Sequence, residues 1–131
     1  MDLKKYIRSI PDYPKKGILF RDITTLIKDE SAFAETINQI VERSKKYKFT
    51  KIAAIESRGF VFASAVSYIL KKPFIMLRKK NKLPADVHSV DFELEYGTAT
   101  IEVHKDSIDQ KDTVLIIDDL IATGGTAEAA A

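Results

Sequence analysis

An apolar run followed by two acids and a glycine-rich loop is the part of this sequence with the clearest chemical potential. Val114–Ile117 is a run of four apolar residues, which predicts a short strand buried on both faces. Asp118 and Asp119 come directly after it. A loop of small and hydroxyl residues then opens onto an alanine-rich helical start, and it consists of Ala122, Thr123, Gly124, Gly125 and Thr126.

This order of residue types favours a site for a phosphorylated sugar. Ligands of open α/β sheets bind just beyond the carboxyl ends of the strands. Glycines let backbone N–H groups approach a phosphate closely, and a helix N-terminus favours its negative charge. Paired carboxylates accept hydrogen bonds from sugar hydroxyls. We therefore expect the glycine-rich loop to bind a phosphate and the adjacent acid pair to bind ribose hydroxyls. The alternative is a solvated turn that happens to carry two acids.

Two common phosphate-binding motifs are absent from this stretch. The glycines are not followed by Lys-Ser or Lys-Thr, so the loop is not a Walker A loop. The spacing also differs from the Gly-x-Gly-x-x-Gly of dinucleotide-binding folds.

Earlier elements must carry this loop to a sheet edge. The apolar run Ile52–Ile55 predicts a buried strand, a helix is expected from Arg58-Gly59, and Phe74–Leu77 predicts a second strand. Strand, helix and strand in this order predict a parallel crossover. Ser57 and Arg58 then lie at the same sheet edge as the acid pair.

The remaining segments predict helices, a loop and a hairpin around the central strands. Residues 3–10 are interpreted as a short amphipathic helix, and a second helix is expected from Asp29 or Ser31 to about Tyr47. Residues 78–91 are polar and lysine-rich, which favours a mobile loop. Strands on both sides of Gly97 favour a hairpin. The fold class predicted is α/β, with a mainly parallel central sheet, helices on both faces and a flexible loop or hairpin over the site.

Composition narrows the class of protein. The chain has 131 residues, 45% of them hydrophobic and 31% charged, which is typical of one globular domain. Its net charge of +2 gives no indication of a nucleic acid partner, and no apolar run is long enough to span a membrane. The absence of cysteine excludes disulfides, thiolate metal sites and cysteine nucleophiles. We therefore expect a cytoplasmic protein with no membrane association.

The block from Val114 to Thr126 resembles the signature of the type I phosphoribosyltransferases, which bind phosphoribosyl pyrophosphate (PRPP). Four further segments in register, which cover nearly the whole chain, are similar to the adenine-specific members of that family. They are Pro14–Ile23, Glu56–Phe60, Arg78–Pro84 and Leu94–Gly97. The resemblance implies transfer of a phosphoribosyl group from PRPP to adenine, which yields AMP and pyrophosphate in purine salvage.

The resemblance also implies a role for each matching residue. Asp118 and Asp119 would contact the ribose hydroxyls, and Ala122 to Thr126 would wrap the 5′-phosphate. Ser57, Arg58, Lys79 and Lys82 would contact pyrophosphate, with a cis peptide at Glu56-Ser57. Arg58 also has a plainer interpretation as a surface arginine at a helix start.

Adenine would be recognised by two segments. The resemblance implies that Glu95 hydrogen-bonds N7 and assists proton movement, so Glu95 and Arg58 are the catalytic candidates; from the residues alone, Glu95 is equally an exposed strand glutamate. Main-chain groups of Leu19 and Arg21 would meet the N6/N1 edge. Phe20 would stack on the ring, although a core aromatic is nearly as good an interpretation.

The resemblance further implies Mg²⁺, held mainly through PRPP with no dedicated protein ligands, and a homodimer. Two alternatives stay open: another purine phosphoribosyltransferase that acts on an oxopurine, and a non-catalytic PRPP-sensing module. The chain is expected to be a single phosphoribosyltransferase domain, residues 1–131, from which the C-terminal part of the family fold is absent, because the last predicted helix has only about one turn.

Overall fold

A computed structural model describes residues 1–94, 97–119 and 125–131 of the chain. The chain forms two compact units, residues 1–45 and 46–131. Within the described residues, no helix is both long enough and apolar enough to cross a bilayer.

The first unit combines a two-stranded ribbon with two helices. A 3₁₀ helix at Leu3–Tyr6 precedes β1 (Arg8–Ile10), which pairs antiparallel with β2 (Phe20–Asp22). Helices α1 (Thr24–Ile27) and α2 (Glu30–Ser44) follow.

The predicted helix over residues 3–10 is therefore wrong in its second half. The Asp2 side chain accepts a hydrogen bond from Lys4 N at 3.1 Å and caps only the 3₁₀ turn. Ile10 precedes Pro11, and a residue before proline is pushed toward extended backbone. The chain accordingly leaves the helix and enters β1.

The second predicted helix is confirmed as α2, with a clear start signal. The Asp29 side chain accepts from Ala32 N at 2.8 Å, as an N-cap residue does. The helix ends at Ser44, three residues before the end predicted at Tyr47. The Ser44 hydroxyl donates a hydrogen bond to the Val41 carbonyl at 2.7 Å.

The second unit is built on a five-stranded mixed sheet. Its strands are β3 (Lys51–Ile55), β4 (Phe74–Lys79), β5 (Val87–Leu94), β6 (Gly97–His104) and β7 (Val114–Ile117). They lie in the order β5-β6-β4-β3-β7. Strands β4, β3 and β7 are parallel, whereas β6 pairs antiparallel with both β4 and β5. The α/β class and the hairpin are confirmed, and the parallel character is confined to three strands.

Both faces of this sheet are covered by apolar side chains. On one face, Gly59 of α3 (Arg58–Leu70) approaches the Ala54 methyl group. The other face carries a buried cluster of Ala53, Ile55, Ile75, Leu77 and Ile101, against which Ala130 of α4 (Gly125–Ala130) packs. Because alternate residues of a strand point to opposite faces, β3 contributes to both layers.

The predicted loop over residues 78–91 is wrong in its extent. Strand β4 runs to Lys79 and β5 begins at Val87, so the connection comprises residues 80–86. Residues 87–91 look polar because alternate side chains face away from the apolar cluster, while Val90 pairs with Ile101 of β6. Whether the connection is mobile stays a prediction.

Candidate functional site

The carboxyl end of β7 lies against the start of α3, and a glycine makes this approach possible. A Cβ added at Gly59 would lie 3.1 Å from the Ile117 carbonyl oxygen and 3.2 Å from Asp118 Oδ1. Contacts of this length are tighter than most Cβ contacts, so a side chain at this position would require the neighbouring backbone to give by a few tenths of an ångström. Gly59 therefore lets the helix start reach the acid pair.

The two acids of the pair have different environments. Asp118 Oδ1 accepts from the Asp119 backbone N–H at 2.8 Å. Burial, reinforced by the neighbouring Asp119 carboxyl group, raises the pKa of Asp118 to about 6. Asp119 instead has a cationic partner, because its Oδ2 lies 2.9 Å from Arg58 Nε. Only 8% of the Asp119 side chain is exposed, against 43% for Arg58.

The end of β3 is linked to the end of its neighbour β4 through Glu56. The peptide bond between Glu56 and Ser57 is cis, as the resemblance implied. Glu56 Oε1 accepts from Arg78 Nε and from the Lys79 backbone N–H, each at 3.1 Å. Burial raises the pKa of Glu56, but these two hydrogen bonds and the nearby positive charges outweigh it and hold the pKa below its usual value.

The chain reverses at the end of β4 in a segment that we call the lysine turn, residues Lys79–Lys82. Lys82 N donates to the Lys79 carbonyl at 3.3 Å, and Asn81 adopts a positive φ of 67°. A positive φ at the third position is what a type II turn requires, and asparagine tolerates it well. The turn therefore presents three lysines, Lys79, Lys80 and Lys82, at the edge where the acid pair lies.

A cavity of about 450 Å³ opens beside this turn. Its apolar lining comes from the hairpin and β3, and includes Ile55, Phe92 and Ile101. Its polar lining comes from Glu56, Lys79, Lys80 and Thr100. The sheet edge thus carries a carboxylate pair and several cations, a combination suited to an anionic sugar ligand, and the cavity adjoins Glu56 and two of the lysines.

Comparison with known proteins identifies the family. Residues 23–131 match the profile of the phosphoribosyl transferase domain. The adenine phosphoribosyltransferase of Pelagibacter ubique is 87% identical over 131 residues, which cover all of this chain and 75% of that protein. The chain belongs to the adenine phosphoribosyltransferase family.

Solved structures of adenine phosphoribosyltransferases have the same fold. The enzyme from Thermoanaerobacter pseudethanolicus superimposes with a TM-score of 0.95 at 47% identity, over 98% of this chain and 75% of that one. The Giardia lamblia enzyme, solved with 9-deazaadenine, gives a TM-score of 0.93 at 40% identity, over 98% and 72%. These relatives favour adenine over the oxopurine and PRPP-sensing alternatives.

The structure brings several of the predicted site residues of this family member to one sheet edge. Ser57 and Arg58 follow β3, Lys79 ends β4, and the acid pair follows β7, and these three strands are parallel neighbours. Gly125 and Thr126 lie at the start of α4, as the predicted helix start requires. The predictions for Glu95, Ala122, Thr123 and Gly124 fall outside the described residues.

The predicted adenine-reading segment belongs to the first unit. Leu19 is 51% exposed, Phe20 is half-buried with its ring edge-to-face to Tyr13 at 5.2 Å, and the Arg21 guanidinium donates to the Ser9 hydroxyl. Both interpretations of Phe20 stay open.

The next residue, Asp22, anchors the ribbon that carries this segment. Its carboxylate accepts from Thr24 N at 2.9 Å, from Thr24 Oγ1 at 2.7 Å and from Arg8 Nε at 2.9 Å. These bonds lower the pKa of Asp22 to about 2.

The residues present fit an Mg²⁺ ion that is bound together with substrate phosphates. Mg²⁺ prefers oxygen ligands and is commonly bound by one or two carboxylates together with substrate phosphates. Asp118 and Asp119 are the adjacent carboxylates at this edge, and Asp119 already has Arg58 as its charge partner. The described residues contain no group of three or more acids or histidines close enough to form a cage for a metal.

Sequence reasoning gave no role of their own to three residues of this site: Gly59 and Glu56, which lie in a segment of the resemblance, and Glu102. For Gly59 the signal is a glycine at the second position of a mostly apolar helix. For Glu56 it is an acid at the end of a buried strand, which demands a partner. Glu102 has a weaker signal, an acid inside the strand that is predicted after Gly97.

Proposed function

We propose that this chain transfers the 5-phosphoribosyl group of PRPP to adenine, yielding AMP and pyrophosphate as a pentosyltransferase of purine salvage. The observation that carries the proposal is the acid pair at the carboxyl end of β7, held against the arginine at the start of α3. Family membership supports the same reaction.

The acid pair and the loop after it would hold the two ends of the ribose. Asp118 and Asp119 accept hydrogen bonds from the 2′- and 3′-hydroxyls, while residues Ala122 to Thr126 enclose the 5′-phosphate. Fixing both ends holds C1′ still during the reaction, which removes much of the entropic barrier. The carboxylates also stabilise positive charge that develops on the sugar as its bond to pyrophosphate breaks.

Cations at the neighbouring strand ends would receive the leaving pyrophosphate. Lys79 and Lys82 lie on the lysine turn, and Ser57 and Arg58 lie at the start of α3. Charge-assisted hydrogen bonds to phosphate oxygens are among the strongest available to a protein. The Arg58 guanidinium would contact pyrophosphate while its Nε stays paired with Asp119, so it links the leaving group to the ribose site.

Adenine would be recognised by the reading segment Leu19–Arg21 and by Glu95. The Glu95 carboxyl group hydrogen-bonds N7 and assists proton movement as N9 attacks C1′. Main-chain groups of Leu19 and Arg21 read the N6/N1 edge, and Phe20 stacks on the ring.

Mg²⁺ would arrive with PRPP, bound chiefly through the phosphate oxygens of the ligand. When bound, it neutralises charge on the pyrophosphate. We also propose that the protein forms a homodimer, that it is cytoplasmic and that it has a single catalytic domain. The chain spans 75% of the length of the Pelagibacter relative.

The decisive experiment measures steady-state rates with adenine, hypoxanthine, guanine and xanthine in the presence of PRPP and Mg²⁺. We expect adenine to be preferred by at least about 100-fold in kcat/KM, because buried polar groups are left unpaired by the wrong base. A preference for an oxopurine would contradict the adenine assignment. PRPP binding without AMP formation would favour a sensing module instead.

A further inference from the structure

Glu102 is a charged side chain that the proposed reaction does not use, although it lies beside the lysine turn. The residue is only 8% exposed, in the middle of β6. In the sheet register it stands opposite Arg78 of β4 on one side and Ser89 of β5 on the other. A carboxylate so deeply placed must be satisfied by specific donors.

Both oxygens of Glu102 have such donors, and one of them belongs to the turn. Oε1 accepts from the Asn81 backbone N–H at 2.9 Å. Oε2 accepts from the Ser89 hydroxyl at 2.7 Å. Glu102 therefore connects β5 to the backbone of the lysine turn.

The opposite end of the same turn is held in a similar way. Glu56 Oε1 accepts from the Lys79 backbone N–H at 3.1 Å. The lysine turn is thus held at Lys79 by the carboxylate of Glu56, which follows β3, and at Asn81 by a carboxylate from β6. Two anchors of this kind fix the direction in which the intervening and following side chains leave the backbone.

We propose that Glu102 is a positioning residue for PRPP binding, which acts by holding the Asn81 backbone so that Lys79 and Lys82 face the pyrophosphate. The inference rests on the proposed contact between these lysines and pyrophosphate. It extends the binding machinery to a residue that contacts no substrate atom.

The test compares Glu102→Ala and Glu102→Gln in steady-state kinetics. Losing a buried acceptor frees the Asn81 N–H, and we expect the KM for PRPP to rise about tenfold in Glu102→Ala while the KM for adenine stays within about twofold. Glu102→Gln keeps an oxygen acceptor and should recover most of the PRPP affinity. A purely structural role would lower the melting temperature and the active fraction without separating the two KM values.

Asp91 provides a matched control in the same hairpin. Its Oδ1 accepts from the Thr100 hydroxyl at 2.6 Å, a cross-strand bond without a partner atom in the lysine turn. Asp91→Ala removes a carboxylate of the hairpin as well, and it should leave the KM for PRPP within about twofold of the parent value.

A double-variant cycle with Lys82→Ala separates this inference from the proposed function. If Glu102 positions Lys79 and Lys82, Glu102→Ala should raise the KM for PRPP by a smaller factor in the Lys82→Ala background than in the parent, because only Lys79 is then left to be positioned. Should Lys82→Ala raise the KM while Glu102→Ala does not, the positioning role is overturned and the proposed function stands. Fully additive effects also overturn the positioning role, and an unchanged KM in both single variants overturns it together with the proposed lysine contact.

Discussion

At the scale of single residues, the acid pair shows how two adjacent carboxylates come to differ. Asp119 is compensated by Arg58, whereas Asp118 is buried beside another acid and has a pKa raised to about 6. A carboxyl group that binds its proton more tightly when folded costs stability in its ionised form. That cost is largest above pH 6 and disappears below the ordinary carboxyl pKa of about 4.

The first prediction concerns Asp118→Asn. We expect kcat/KM for PRPP to fall about 100-fold at neutral pH, because a charge that stabilises the transition state is lost. In the parent, kcat/KM should rise with pH through about 6, and this rise should weaken in the variant. The phosphate groups of PRPP also titrate in this pH range. The pH profile of the variant, which lacks the Asp118 carboxyl group, shows how much of the dependence comes from the substrate and is therefore the control.

The same substitution should raise thermal stability at pH 7–8, because it removes a buried charge. The gain should shrink as the pH falls below 6 and vanish toward about pH 3, where Asp118 is mostly protonated in both the folded and the unfolded state. A variant that is less stable than the parent at pH 8 would contradict the raised pKa.

A second prediction concerns Glu95→Ala, whose role comes from the resemblance. We expect kcat to fall by roughly 100-fold, the usual contribution of general acid–base catalysis, with PRPP affinity little changed. Isothermal titration with PRPP and a single-turnover assay measure the two quantities separately. Turnover equal to that of the parent would remove Glu95 from the mechanism.

At the scale of elements, the site depends on how closely α3 approaches β7. The helix reaches Asp118 because Gly59 has no side chain between them. Parallel pairing of β4, β3 and β7 then places their carboxyl ends at one edge. The residues that follow these strands meet there although the sequence separates them widely.

The third prediction follows from this close contact. Gly59→Ala places a methyl group about 3.1 Å from the Ile117 carbonyl, so the helix start must shift. We expect a loss of about 1–3 kcal/mol in the free energy of unfolding together with weaker PRPP binding. Urea unfolding and calorimetry give the two values, and Ala65→Gly on the same helix serves as a glycine control.

Ala65→Gly should cost only about 1 kcal/mol of helix propensity and leave PRPP affinity unchanged. If Gly59→Ala behaves like the parent in both measurements, the close approach is unimportant.

Much of this edge could be predicted from the sequence, and the reasons are local. An apolar run followed by Asp118 and Asp119 indicates a strand end, and Arg58-Gly59 indicates a helix start, because both signals depend on neighbouring residues alone. Glu102 and the true start of β5 depend on cross-strand pairing. Such partners lie far away in the sequence, so no local pattern reveals them.

At the scale of the whole molecule, stability against acid is shared among carboxylates with lowered pKa values. In the first unit, Asp22 has a pKa of about 2 because of its bonds to Thr24 and Arg8. In the second unit, Asp112 also has a pKa of about 2, because Lys51, the Asp109 backbone N–H and Thr50 donate to it. A lowered carboxyl pKa contributes stability above about pH 4, and that stability is lost as the pH falls toward 2.

The fourth prediction is that the free energy of unfolding falls steeply between pH 4 and pH 2. Asp112→Asn should be less stable than the parent at pH 6, and the difference should shrink toward zero near pH 2. Urea unfolding at a series of pH values measures this. Lys51→Met, which removes the partner, should give a similar profile, and a difference that persists unchanged at pH 2 would contradict the assignment.

Lys51 and Asp112 also lie far from the chemistry along the strands. Lys51 begins β3 and pairs in register with Val114, the first residue of β7, whereas the acid pair follows the last residue of β7. Mutational libraries confined to this amino-terminal edge should therefore yield heat-resistant variants with unaltered turnover. In libraries at the opposite edge, variants that gain heat resistance should lose turnover. A directed-evolution campaign can therefore treat the two ends of the sheet as independent targets.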